Sequence, residues 1–206
     1  MASNYVISVF GHKGSGKSTL VKELVAEHKR VIVFDTMGEY DDAIEDYNTA
    51  VRELGRVQDA RRFRVAIRLP EDDDALDAME VAYEVPRCLV VFEETSFYCS
   101  PSTMPTILKK FVRYGRHREI SQVYVSRRPA EINRDLTAQS DLIVSFRQHE
   151  PNDVDYLRKL MGSQADKLPH LREYRIIASG DVDSAPLPIL ERLAKNEGLT
   201  APKIRE

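Results

Sequence analysis

The chain has 206 residues and a mass of 23.5 kDa, about the size of one domain. Hydrophobic residues make up 42% of it and charged residues 31%, which is enough apolar material for a core and too mixed in sign for a disordered polyelectrolyte. The 30 basic and 33 acidic residues leave a formal net charge of -3. This balance excludes a histone-like protein that holds nucleic acid through bulk positive charge.

Membrane and export signals are also missing from the sequence. The longest apolar run, residues 88–92, is far shorter than the roughly 20 residues of a membrane-spanning helix. The first ten residues lack the basic and apolar segments of a signal peptide. The two cysteines, Cys88 and Cys99, form no Cys-x-x-Cys pair, as is typical of a reducing compartment. We therefore expect a cytoplasmic protein with no integral membrane segment.

Short runs rich in Val, Ile and Phe alternate with helical patterns along the chain. The runs predict buried strands at residues 6–10, 31–34, 88–92, 121–125 and 142–146. Between them, apolar residues at helical spacing predict helices around residues 20–25, 44–54 and 107–112. This alternation predicts an α/β fold with a mainly parallel central sheet flanked by helices.

Weaker patterns predict the remaining elements. Residues 63–69 alternate apolar with polar or small side chains, which predicts a half-exposed strand at a sheet edge. Residues 173–178 and 186–190 are expected to complete the sheet as extended segments, and the tail is expected to fray from Lys195 onward. We thus expect one domain over residues 1–206, with a core at about 5–180 and a C-terminal strand and tail at 181–206.

A phosphate-binding motif follows the first predicted strand. Residues 11–18 read GHKGSGKS and fit the Walker A or P-loop pattern G-x-x-x-x-G-K-[ST] at the start of a predicted helix. Glycines let such a loop wrap a phosphate, so that its N–H groups face negative charge. Lys17 is expected to reach the β- and γ-phosphates, and the Ser18 hydroxyl to ligate Mg²⁺. The predicted nucleotide-binding residues are Gly11, His12, Lys13, Gly14, Ser15, Gly16, Lys17, Ser18 and Thr19.

An acidic pair ends the apolar strand at residues 89–92. We expect Glu93 to hold the metal, directly or through water, and Glu94 to orient or deprotonate an attacking water. Glu93 stands where a Walker B strand usually has Asp, and it adds one methylene. A metabolite kinase would not need Glu94, and the GTPase sequence Asn-Lys-x-Asp does not occur. The acidic pair therefore favours a nucleotide hydrolase over a kinase or a regulatory GTPase. The alternative is that the two acids are solvated side chains at a strand end without a catalytic role.

Several segments together resemble the FtsK/HerA superfamily of ring-forming, DNA-translocating P-loop ATPases. Residues 34–40, FDTMGEY, are similar to the Asp-x-x-Gly-Glu-Tyr signature that follows the second core strand of HerA-like proteins. Residues 114–118 and 126–129 resemble the family's Gly-Arg-Lys and Ser-Gln-Arg-Pro segments, with Arg127 in place of the glutamine. Residues 142–147 and 168–174 resemble the closing elements of the HerA core. The resemblance spans about residues 5–180.

The resemblance implies a RecA-like (ASCE) P-loop fold, with the P-loop and the carboxylates at the C-terminal edge of the strands. It implies hydrolysis of ATP with Mg²⁺ in a homo-oligomeric ring, a pentamer or hexamer. In the family, the polar residue at the position of Arg127 senses the γ-phosphate from the strand between the Walker A and Walker B strands. The exchange divides this role between Ser126 and Arg127.

The resemblance also places residues 115–116 close to a subunit interface. An arginine that reaches the nucleotide of a neighbouring subunit would supply charge that Lys17 and Mg²⁺ provide incompletely. The first candidates are Arg116 and Arg118, and the second-rank candidates are Arg113 and Arg147. Ion pairs within the subunit, or contacts with DNA, are the alternative for Arg116 and Arg118.

A bare motor core of this size resembles the genome-packaging ATPases of tailless, membrane-containing icosahedral viruses. The implied partners are double-stranded DNA, bound without sequence preference, and a virion vertex or membrane protein. The implied location is the host cytoplasm or the packaging vertex. A cellular HerA-like DNA translocase and a non-translocating phage assembly ATPase are the alternatives.

Charge is unevenly distributed. Residues 71–84 contain seven acids and no Lys or Arg, and residues 109–128 contain seven bases and one acid. We expect Lys109, Lys110 and neighbouring bases to hold DNA phosphates without reading sequence. The acidic segment is expected to point away from DNA.

Overall fold

The computed structural model describes residues 4–69 and 72–196. Its strands are β1 Val6–Phe10, β2 Arg30–Phe34, β3 Phe63–Ile67, β4 Leu89–Phe92, β5 Ser121–Ser126, β6 Leu142–Ser145 and β7 Ile177–Gly180. They form a seven-stranded sheet in the order β3-β2-β4-β5-β1-β6-β7. Every neighbouring pair is parallel except β6 and β7, which are antiparallel. The predicted mainly parallel α/β sheet is confirmed.

Helices cover both faces of the sheet. They are α1 Lys17–Glu27, α2 Tyr47–Arg56, α3 Asp72–Tyr83, α4 Thr106–Tyr114, α5 Arg134–Ala138, α6 Pro151–Met161 and α7 Leu187–Asn196. Residues of α1 and α7 join the hydrophobic cluster on one face, and residues of α2 to α6 join the cluster on the other. Strand β2 supplies both clusters, because Val31 and Val33 point to one face and Ile32 and Phe34 to the other.

Strand β3 lies at the edge of the sheet, as its alternating pattern predicts. Only its beginning is accessible, since Phe63 is half-buried and Arg64 is exposed while residues 65–67 are buried. The strand ends at Ile67, two residues earlier than predicted. Helices α2 and α3 pack on the face that Val65 and Ile67 present, which explains why this edge strand is mostly buried.

The C-terminal prediction is wrong for residues 186–190, which were expected to form a strand. Residues 187–196 form helix α7 instead, with Ile189 buried and Leu190 and Leu193 packed against the cluster that contains α1. Apolar residues four apart lie on one helical face, but a window of five residues is too short to separate this pattern from a strand. The last strand, β7, begins at Ile177 rather than at 173. Lys195 lies in α7, and the rest of the expected frayed tail, residues 197–206, lies outside the described residues.

The parallel strands bring distant segments of the chain to one edge of the sheet. The segments after β1, β2, β4 and β5 all leave from the carboxyl ends of parallel strands, where open α/β sheets bind ligands. Residues 11–16, 35–40, 93–94 and 126–128 therefore meet at this carboxyl edge. Within residues 4–69 and 72–196, none of the helices has the length and apolar character of a membrane span.

Candidate functional site

The P-loop joins β1 to α1 through closely packed glycines. Gly16 adopts φ 106° directly before α1, and a Cβ atom there would lie 2.8 Å from the ring of Tyr174. A Cβ atom at Gly11 would lie 2.5 Å from Ser15 Oγ. Side chains at these two positions would therefore displace the walls of the loop. The sequence pattern thus has a steric reason at both positions.

Two polar side chains of the loop are suited to bind phosphate. Lys17 Nζ donates hydrogen bonds to the carbonyl oxygens of Gly11, at 2.6 Å, and His12, at 3.1 Å. Burial lowers the pKa of Lys17, and the negative charges of nearby carboxylates, Glu94 first, oppose this effect. Ser15 Oγ is buried and has no hydrogen-bond partner among the described residues. Buried hydroxyls are rarely left unpaired, so the loop fits an anionic ligand that accepts this hydrogen bond.

Two histidines and an arginine lie beside the P-loop. The ring of His12 stacks on that of His149, with centroids 5.7 Å apart, and His12 Nδ1 lies 2.6 Å from the carbonyl oxygen of Lys13. Arg147 Nε donates to His149 Nε2 at 2.8 Å. Arg147, a second-rank candidate for an arginine acting between subunits, therefore lies beside the P-loop of its own chain.

Glu93 lies at the end of β4 with only 3% of its surface exposed. Its Oε1 atom has no hydrogen-bond partner among the described residues. Burial, followed by the charges of Glu39 and Asp35, raises the pKa of Glu93 to about 8. A bound cation would offset the cost of burying this carboxylate, so the residue fits the expected metal site.

The predicted metal ligand Ser18 stands on the first turn of α1. Its hydroxyl donates a hydrogen bond to Glu39 Oε1 at 2.9 Å. Among the described residues, no three His, Cys, Asp or Glu side chains are grouped as a metal cage. Mg²⁺ is commonly held by one or two carboxylates together with waters and substrate phosphates, a donor set that Ser18 and Glu93 fit.

The second acid, Glu94, has a left-handed backbone with φ 48° and ψ 65°. Its Oε1 atom accepts hydrogen bonds from Ser96 Oγ at 2.8 Å, Arg127 N at 3.2 Å and Ser126 Oγ at 3.3 Å. Its Oε2 atom lies 3.1 Å from Arg127 Nε. Strand β5, which carries Ser126, lies between β1 and β4, as the resemblance implies. The structure therefore brings together the expected base and both expected sensor residues.

Sequence analysis missed Glu39 as a site residue, although the motif at residues 34–40 contains it. Asp35 is buried and accepts hydrogen bonds from the backbone N–H groups of Glu39, at 2.8 Å, and Tyr40, at 3.0 Å. Arg68 Nη2 lies 2.7 Å from the same carboxylate. These contacts fix the turn that directs Glu39 toward α1. A second acid in the motif was the available signal.

Arg116 and Arg118 do not lie at the nucleotide side of their own chain. They precede β5, at the edge of the sheet opposite the P-loop. Arg116 forms an ion pair with Asp141, and Arg118 Nη2 lies 2.9 Å from Glu84 Oε2. Their action on a neighbouring subunit stays a prediction.

The acidic and basic segments lie side by side. Helix α3 packs against α4, where Lys110 Nζ lies 2.6 Å from Glu80 Oε2, and Glu84 pairs with Arg118 just beyond α4. Arg113 lies 3.3 Å from Asp135. Part of the positive charge that was expected to face DNA is thus neutralised within the chain. The expectation that the acidic segment points away from DNA stays a prediction, although two of its acids pair with bases of the basic segment.

Comparison with known proteins agrees with this geometry. Residues 6–91 match the family model described as the central domain of helicase HerA. The predicted resemblance to FtsK/HerA proteins is confirmed over this stretch, which contains the P-loop and the motif at residues 34–40. No curated protein matches the chain in sequence.

Solved structures share the fold at low sequence identity. The genome packaging NTPase B204 of Sulfolobus turreted icosahedral virus 2, in complex with AMP, superposes with a TM-score of 0.71 at 18% identity, over 90% of this chain and 96% of that one. EssC (ATPases 2 and 3) of Geobacillus thermodenitrificans superposes with a TM-score of 0.56 at 14% identity, over 86% of this chain and 38% of that one. The pCW3 conjugation coupling protein TcpA superposes with a TM-score of 0.53 at 14% identity, over 87% of this chain and 58% of that one. These likenesses confirm the RecA-like P-loop fold.

Proposed function

We propose that this chain is a Mg²⁺-dependent ATPase that translocates double-stranded DNA as a viral genome-packaging motor. The observation that carries the proposal is the meeting of the P-loop with two carboxylates of different surroundings. Glu93 is buried and has an unpaired oxygen, whereas Glu94 is held by hydrogen bonds. One carboxylate suits a cation and the other suits a water molecule.

The residues have separate roles in this hydrolysis. The P-loop N–H groups and Lys17 bind the β- and γ-phosphates. Ser18 and Glu93 hold Mg²⁺, which neutralises phosphate charge when bound. Glu94 accepts a proton from the attacking water, and Ser96 and Ser126 fix the direction of its Oε1 atom. Arg127 and Ser126 contact the γ-phosphate from the end of β5.

The DNA-translocating part of the proposal is supported by the compared proteins. B204 is described as a genome packaging NTPase, and it is matched over 96% of its length. The HerA-type sequence pattern at residues 6–91 supports the same class of motor. A homo-oligomeric ring of five or six subunits would let an arginine of one subunit reach the nucleotide of the next. Such a motor would work in the host cytoplasm or at a packaging vertex, against a vertex or membrane protein.

The test is the rate of ATP hydrolysis with Mg²⁺, measured with and without long double-stranded DNA. We expect stimulation by duplexes of unrelated sequence, and loss of the stimulated rate in Glu94→Gln. An ATPase with no response to DNA would contradict the motor and favour the assembly ATPase. A packaging motor is distinguished from a cellular HerA-like translocase by adding purified procapsids and measuring the DNA that survives nuclease treatment. Only a packaging motor would move DNA into the procapsid, where it is protected.

A further inference from the structure

Glu39 contacts the predicted metal ligand from a loop that the phosphate-binding motif does not include. Its Oε1 atom accepts the hydroxyl proton of Ser18 at 2.9 Å, and Lys22 Nζ lies 3.6 Å from its Oε2 atom. Its backbone N–H is tied to the buried Asp35 carboxylate at 2.8 Å. The carboxylate is thereby held at the first turn of α1 by both its main chain and its side chain.

This hydrogen bond determines what Ser18 can offer a cation. A serine hydroxyl has one proton and two lone pairs, and donation of the proton to Glu39 leaves the lone pairs free. Without an acceptor, the hydroxyl proton can rotate toward the cation or bond to a neighbouring oxygen. Groups that orient metal ligands in this way commonly account for a 10- to 100-fold difference in metal affinity.

Two orphaned atoms indicate that a ligand belongs beside this pair. Glu93 Oε1 and Ser15 Oγ are both buried and unpaired among the described residues. Glu93 is close enough to Glu39 for the two negative charges to affect each other. A cation bound by Glu93 would therefore also lie in the field of the Glu39 carboxylate.

We infer that Glu39 is a positioning residue, which turns the Ser18 hydroxyl so that its lone pairs face Mg²⁺; this inference rests on the proposed function. The role differs from direct ligation, because it needs a hydrogen-bond acceptor at position 39 and not a negative charge. Glutamine at this position can accept the same proton through its Oε1 atom, and alanine cannot.

The experiment measures Mn²⁺ affinity by electron paramagnetic resonance in the presence of saturating ADP, and ADP affinity without metal by calorimetry. We expect Glu39→Ala to weaken Mn²⁺ binding about 10- to 100-fold and to leave metal-free ADP binding unchanged. Glu39→Gln should retain most of the affinity. The matched control is Glu53→Ala, which removes a carboxylate that pairs with Arg56 on α2 and does not touch Ser18.

A double variant tests whether Glu39 acts through Ser18. In a Ser18→Ala background, Glu39→Ala should weaken Mn²⁺ binding no further. Unchanged Mn²⁺ affinity in Glu39→Ala would overturn the inference, and so would equal losses in the Gln and Ala variants or additive losses in the double variant. If the wild-type chain bound no ADP, the proposed function would fail as well. Thermal unfolding of each variant shows whether the fold is retained.

Discussion

Arg127 contacts both carboxylate oxygens of Glu94, the proposed general base. Its Nε atom is 3.1 Å from Glu94 Oε2, and its backbone N–H donates to Glu94 Oε1 at 3.2 Å. The contact exists because β4 and β5 are parallel neighbours that end at the same edge of the sheet. The Arg127 side chain is 43% exposed, so the ion pair is weak enough to exchange partners. An arginine that turns toward a γ-phosphate must therefore change its contact with Glu94.

Glu94→Gln should slow ATP hydrolysis strongly while leaving ATP binding intact. Glutamine keeps the shape of the side chain but accepts a proton poorly, so turnover should fall by about 10² or more. ATP affinity, measured with a fluorescent analogue, should stay within a few-fold of wild type. Lys17→Ala provides the contrast, because loss of the lysine charge should weaken nucleotide binding itself. An unchanged turnover in Glu94→Gln would remove Glu94 from the mechanism.

Arg127→Ala should weaken binding of ATPγS more than binding of ADP. A charged hydrogen bond to the γ-phosphate contributes about 1.5–3 kcal/mol, which corresponds to roughly a 10- to 100-fold difference in affinity. ADP lacks this phosphate and should bind as before. Arg127→Lys keeps the charge and should give an intermediate loss. Equal losses for both nucleotides would argue against a γ-phosphate sensor.

Stability without nucleotide and metal should depend on pH through Glu93. Its pKa is raised to about 8, so the folded chain retains this proton to a higher pH than the unfolded chain does. The free energy of unfolding should therefore decrease as pH rises from about 5 through about 8, most steeply near the middle of that range, and level off above it. Glu93→Gln cannot ionise and should show a smaller decrease in thermal unfolding temperature. Parallel pH profiles for the two proteins would contradict this assignment.

Mixed rings should reveal an arginine that acts between subunits. Glu94→Gln subunits keep their own arginines, and Arg116→Ala subunits keep Glu94. If Arg116 acts on a neighbour, mixing the two inactive proteins should restore ATP hydrolysis at shared interfaces. The same mixture is made with Arg118, Arg113 and Arg147 variants, and ring mixing is checked by native mass spectrometry. Failure of all four mixtures would leave these arginines a role within their own chain, such as the ion pair of Arg116 with Asp141, or no catalytic role.

Duplex DNA binding should weaken steeply with salt and vary little with sequence, because phosphate contacts release counterions. Lys109 is exposed and has no ion-pair partner among the described residues, whereas Lys110 pairs with Glu80. Lys109→Ala should therefore reduce DNA affinity and its salt dependence more than Lys110→Ala does. Fluorescence anisotropy at several salt concentrations measures both. Salt-independent binding, or a marked preference for one sequence, would contradict phosphate recognition.

The sequence alone was sufficient for features that are local. The P-loop pattern is contiguous, since its glycines, Lys17 and Ser18 serve one loop and one helix start. The buried strands were recognised because each is a short run rich in Val, Ile or Phe. The place of Glu93 and Glu94 at the end of such a strand was also readable from the sequence, whereas their separate roles stay a prediction.

Contacts between distant segments depend on strand order, and only the tertiary structure decided them. Glu39 reaches Ser18, and Arg127 reaches Glu94, because parallel strands that are far apart in sequence end at one edge of the sheet. The pairing of Glu80 with Lys110 likewise needs α3 to pack beside α4. Helix α7 was missed because its short apolar run fits both the helical period of 3.6 residues and the strand period of two. Only the packing of Ile189 against the cluster that contains α1 shows that the segment is a helix.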